Sequence, residues 1–115
     1  MNKEMFLPEF NYDECISRLN NNEKIMMMVL KKYNGRELLT NILENLGKSD
    51  FEKAAFDAHT LKGVAANLSL NLVAEAAKTV EHSLKSTSSV SDGDIEILKA
   101  AVDSTEEKLN TFLQK

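Results

Sequence analysis

A histidine, a lysine and a glycine fall at positions 59, 62 and 63 of the run AHTLKGVAANL, residues 58–68. With about 3.6 residues per helical turn, positions three and four apart are neighbours on a helix surface, so His59, Lys62 and Gly63 share one patch. The three residue types suit a phosphoryl group. A neutral imidazole nitrogen is a usable nucleophile near neutral pH, because histidine ordinarily titrates at about 6.5. Lys62 supplies a cation beside the ring. It is expected to favour the uncharged ring before reaction and to face the oxygens of an attached phosphoryl group afterwards. At an exposed site this is a small effect, roughly 0.5–1 kcal/mol for charges about 5–6 Å apart. Gly63 costs a helix about 0.8–1.0 kcal/mol relative to alanine. Its expected role is to clear space beside the imidazole.

The helix that must carry these residues is legible in the apolar pattern. Phe51, Ala54, Ala58, Leu61, Ala65 and Leu68 recur at alternating spacings of three and four, a narrow seam of the kind that packs in bundles. Turning about 100° per residue places His59 more than a right angle from that seam, beside Ala55, Phe56, Gly63 and Ala66. These small or apolar neighbours are expected to face outward as a docking strip for another protein, with Phe56 as its apolar anchor. His82, the other histidine, falls on the polar side of its segment and reads as a surface residue.

Along the chain, an irregular lead over residues 1–10 ends near the single proline, Pro8, and Asn11 is placed to cap a short helix from Tyr12 to about Leu19. Asn20, Asn21 and Asn22 break the pattern. A long helix is expected from about Glu23 to Leu46, with a bend at Gly35 where the apolar stripe shifts and a stop at Gly47. Ser49 or Asp50 opens the histidine helix, which ends near Leu68. The next helix spans about Asn71 to Lys85, with Leu72, Val73, Ala76, Val80 and Leu84 inward, followed by a polar loop at 86–89. The last begins near Asp92 and carries Ile95, Leu98, Val102, Thr105, Leu109 and Phe112 inward. Met26, Met27 and Met28 cannot all face one core, so at least one is expected to be exposed. Four long amphipathic segments result, each marginal alone, so they must bury their stripes against one another. Nothing alternates with period two for long enough to make a strand.

Composition excludes several classes. A chain of 115 residues is expected to be one domain over 1–115, helical over 12–115, and too short for a catalytic fold with separate substrate lobes. A net charge of −4 argues against nucleic acid or an anionic membrane surface as partner. The lone Cys15 is expected to be a small buried hydrophobe, and no zinc-ligand spacing occurs. No apolar run of 18 residues and no basic-then-apolar start is present, so a cytoplasmic location is expected. No Gly-rich phosphate loop and no kinase motif appears.

The stretch DFEKAAFDAHTLKGVAANLSLNLVAEAAKTVEHSLK, residues 50–85, resembles the histidine-containing phosphotransfer (HPt) domain of multistep phosphorelays, most specifically in HTLKG followed by AANL. The resemblance implies an all-α fold, an antiparallel up-down four-helix bundle, here with a short additional N-terminal helix. It also implies that His59 accepts a phosphoryl group and exchanges it with an aspartate of a response-regulator receiver domain. Lys62 would sit beside the phosphate, and Gly63 would let the partner approach. Two positions depart from the family pattern: Ser69 stands where glycine is common, and Val64 where a small residue is common. A receiver would bring the acidic residues and Mg²⁺, so this chain needs no cofactor of its own and acts as a carrier, not an autonomous kinase. A hybrid sensor histidine kinase is a further expected partner, and a monomer the expected state. The alternative from another class is a helical docking module that is never phosphorylated. A metal site made from His59 and His82 with Glu75 or Glu81 is poor, because no further ligand completes a shell.

Overall fold

The computed structural model of the chain describes residues 6–114, in which six helices follow one another: α1 (Tyr12–Arg18), α2 (Glu23–Lys31), α3 (Gly35–Gly47), α4 (Phe51–Asn67), α5 (Asn71–Thr87) and α6 (Asp92–Leu113). No strand occurs among the described residues, so the fold is all-helical. The connections after α3, α4 and α5 span only residues 48–50, 68–70 and 88–91, lengths that turn a chain back along its predecessor. Helix α4 packs against α3 and α5, α5 against α6, and α6 returns to α3. The histidine helix is therefore gripped on two sides.

Helix starts follow from capping chemistry. Asn11, Asn22, Asp50 and Ser91 each accept a hydrogen bond from the backbone N–H three residues on, satisfying one of the donors that a helix start leaves unpaired. Asp50 thus opens α4. Ser49 instead takes a left-handed backbone (φ 58°). Gly47 is the last residue of α3, and the left-handed position expected of a glycine stop lies two residues later, at Ser49. Asn20 and Asn21 are likewise left-handed, which asparagine tolerates better than most residues.

One expected helix is two. The run from Glu23 to Leu46 is interrupted at residues 32–34, so α2 and α3 are separate and two short helices precede α3 instead of one. The stripe shift explains the break. Met26 and Leu30 are buried on one face and Leu38, Leu39 and Ile42 on another, and a straight rod could not seat both. Asn34 and Gly35 are weak helix formers at that point. Tyr33 folds over Gly35 so closely that a β-carbon there would lie 1.9 Å from the phenol oxygen.

Of the lead expected over residues 1–10, the part before Phe6 lies outside the described residues. Phe6 and Phe10 are fully buried. They pack with Tyr12 and Phe112, ring centroids 5.4 to 6.4 Å apart, in tilted and edge-on arrangements favoured by aromatic quadrupoles. Met26 is buried and Met28 exposed, as the triplet requires, and Cys15 is buried. The α4 seam is inward from Ala54 to Leu68, with Phe51 partly covered. Helix α5 runs two residues past its expected end, to Thr87.

The turn after α4 fixes the far end of the site helix. Ser69 N–H bonds to Ala66 O and Leu70 N–H to Ala65 O, the paired pattern that closes a helix through a left-handed residue. Ser69 holds that residue's place at φ 57°. The Arg18 guanidinium donates to Ala66 O at 2.6 Å and Asn67 O at 3.2 Å, capping carbonyls at the negative end of α4, while Asn11 N–H donates to Ser69 O. Ser69 is wholly buried and its hydroxyl has no hydrogen-bond partner. Ser69→Gly therefore removes both a left-handed penalty and an unsatisfied hydroxyl, and should raise stability by about 1 kcal/mol. Thermal denaturation should show a Tm increase of a few degrees; a decrease would contradict this account of the turn.

Candidate functional site

His59 stands midway along α4 with its side chain 59% exposed, yet one ring nitrogen is held. Nδ1 lies 2.8 Å from Oε2 of Glu81 on α5. Glu81 is nearly buried, its side chain only 7% accessible. The same carboxylate receives Lys62 Nζ on Oε1 and Lys85 Nζ on Oε2, each at 2.8 Å. One carboxylate thus ties together a histidine and two lysines from two helices.

Burial alone would raise the Glu81 carboxyl, but hydrogen bonds from Lys62, Lys85 and His59, with the nearby Lys62 charge, bring it down from 4.5 to about 2. It is ionised at neutral pH, and an ionised carboxylate can only accept hydrogen bonds. The proton in the contact with His59 therefore sits on Nδ1. In the neutral ring this leaves the lone pair on Nε2, so the carboxylate selects the tautomer. A lone pair is thereby presented on an exposed ring whose orientation is fixed from below.

The residues expected at the site are brought together with two corrections. Lys62 is beside His59, but it is paired with Glu81 and partly covered, so it does not act on the ring as a lone cation. Ala55 does not belong to an outward strip. It is buried, because a helix packed on two neighbours needs a wider apolar arc than a single seam. Phe56, at 69% accessibility, is exposed, as are Gly63 and Ala66. A β-carbon added at Gly63 would meet nothing within 4 Å, so no packing among the described residues requires glycine there. Beside His59 runs a groove of about 450 Å³ whose lining includes Phe51, Ala55, Phe56, Leu84 and Lys85. Ala55 forms part of this groove.

Glu81 and Lys85 are the members that sequence reading assigned no part in phosphoryl chemistry. A signal existed. Glu81 lies four residues after Ala77, one after Val80 and three before Leu84, all buried, so the wheel sets this carboxylate on the inward stripe of α5. What the wheel cannot give is the register that puts it opposite His59. His82 is exposed, and no group of three or more His, Cys, Asp or Glu among the described residues could hold a metal ion. No helix among them is long and apolar enough to cross a membrane.

A family model for the Hpt domain matches residues 33–111, more than half of the chain. The chain belongs to the Hpt domain family. Hpt domains carry phosphoryl groups on histidine within phosphorelays, are carriers and not kinases, and work in general with response-regulator receiver domains. No curated protein and no solved structure matches the chain significantly. The Hpt match begins at Tyr33, within the break between α2 and α3, so α1, α2 and the buried Phe6 and Phe10 lie outside it.

Because Glu81 is held below its ordinary value, its contribution to stability is present above about pH 4.5 and is lost as pH falls toward about 2. Glu81→Gln should cost on the order of 1–3 kcal/mol at neutral pH, where it leaves two lysines without their anion. Urea unfolding followed from pH 7 downward should show the gap between variant and parent closing between about pH 4.5 and about 2. A gap that stays constant over that range would contradict the ionised hub.

Proposed function

We propose that His59 is the phosphoryl-accepting residue, and that it exchanges the group with an aspartate of a receiver domain docked over α4 and α5. The reading is carried by one observation: an exposed imidazole whose Nδ1 is engaged by a buried, ionised carboxylate, leaving Nε2 as the nucleophile. In the forward step the Nε2 lone pair forms a bond to phosphorus as the bond from phosphorus to the aspartyl oxygen breaks. That bond's electron pair stays on the aspartate carboxylate. The ring keeps its Nδ1 proton and becomes positively charged, and Glu81 faces that charge at 2.8 Å. Return transfer follows the same path backwards.

Lys62 is the cation of this reading that faces the transferred oxygens. Mg²⁺ and the carboxylates that hold it come with the receiver. The closed circuit of α3, α4, α5 and α6 contacts supports an up-down four-helix bundle as its frame. Phe56 and the groove beside His59 offer apolar contact, and the open space over Gly63 admits a partner backbone close to the ring.

His59→Gln should abolish labelling by a phosphorylated receiver while helical circular dichroism is unchanged; acid-labile label that persists in the variant would reject the assignment. Gly63 offers a second test with opposed signs. Gly63→Ala should stabilise the folded chain by up to about 1 kcal/mol, since it removes a helix penalty and meets no neighbour. Gly63→Leu should fold equally well yet slow receiver-dependent labelling at least ten-fold. Equal transfer rates in Gly63→Leu and the parent would remove glycine from the docking account.

A further inference from the structure

We infer that Lys85 is a second phosphate-contacting cation, which leaves Glu81 for the phosphoryl oxygens when His59 is loaded. The inference rests on the reading of His59 as acceptor and adds a residue to it. Lys85 Nζ and His59 Nδ1 both lie 2.8 Å from the same oxygen, Glu81 Oε2, so the ammonium and the ring nitrogen are within twice that distance of each other. Lys62 holds the other oxygen. The two lysines therefore engage opposite oxygens of one carboxylate, and Lys85 also lines the groove with His59.

Charge and mobility favour the transfer of Lys85. Two ammonium groups against one carboxylate leave a positive surplus, which suits an arriving dianion. Lys85 is 61% exposed and Lys62 33%, so Lys85 gives up less packing by swinging outward on its flexible stem. Its pairing with Glu81 is also a four-residue contact along one helix, and Glu81 keeps Lys62 and His59 as partners when Lys85 moves away. Helix geometry alone accounts for that pairing. It does not account for the convergence of Lys85 with Lys62 and His59 on one oxygen pair.

Phosphoramidate, a small donor, tests this without a receiver: the His59 Nε2 lone pair bonds to phosphorus while the phosphorus–nitrogen bond of the donor breaks, its electron pair leaving on ammonia. Labelling of His59 is followed by intact mass and ³¹P NMR in the full chain. Lys85→Gln and Lys62→Gln should each slow labelling about two- to five-fold, and together about ten-fold. Lys85→Arg should keep most of the rate. The decisive comparison repeats Lys85→Gln in the Glu81→Gln background. A direct contact predicts the same slowing there; slowing that vanishes would show that Lys85 acts only through Glu81, and would overturn the inference. If Glu81→Gln fails to fold, the ammonium ¹⁵N signal of Lys85 in the parent serves instead. It should shift when His59 is labelled, and an unmoved signal would overturn the inference. Absence of any His59 label in the parent, from phosphoramidate or from receivers, would be a different failure, that of the acceptor reading itself.

Discussion

A carboxylate withdrawn from water governs the face of this protein that carries His59. Removing an ion from solvent costs several kcal/mol unless its lone pairs are satisfied, and Glu81 satisfies them with Lys62, Lys85 and His59. That demand orients all three. Without a buried anion the imidazole would be a freely rotating surface ring with two interchangeable tautomers, and the lysines would be solvated charges with no fixed direction. With it, the ring's buried nitrogen is occupied and its outer nitrogen is presented. The electrostatics around His59 are thus settled by a group on the helix next to the one that carries it.

The frame must therefore hold α4 and α5 in register. A slip of one turn, about 5.4 Å, would separate His59 from Glu81. Both ends of α4 are pinned against such a slip, by the Asp50 cap at its start and by Arg18 and the Ser69 turn at its end. Asn45 on α3 donates to Asp57 on α4 at 2.8 Å, adding a polar tie midway. Arg18 belongs to the N-terminal segment, which is anchored in turn by Phe6, Phe10 and Tyr12 against Phe112 of α6. Residues that the Hpt match leaves out thus support the helix that carries the histidine.

Local chemistry made much of this legible in the sequence. A cap residue marked the helix start at Asn11 and polar residues narrowed that of α4 to Ser49 or Asp50, and the α4 seam separated core from His59 because a 3.6-residue period needs no tertiary information. The patch of His59, Lys62 and Gly63 was readable for the same reason. What depended on two helices meeting was not. The position of Ala55 required knowing that α4 has two packed flanks, the break at 32–34 required knowing that the stripes on α2 and α3 face different neighbours, and Glu81 required the α4–α5 register. The packing of Phe6 and Phe10 was hidden because an irregular segment has no period to reveal which side chains turn inward.

The chemistry proposed for His59 turns on which nitrogen of one imidazole is free to react. Ring ¹⁵N NMR of the chain labelled by a phosphorylated receiver measures this directly, through the coupling of phosphorus to nitrogen. The prediction is phosphorus on Nε2 of His59 with the proton retained on Nδ1 against Glu81. Phosphorus on Nδ1, or on any residue other than His59, would contradict it.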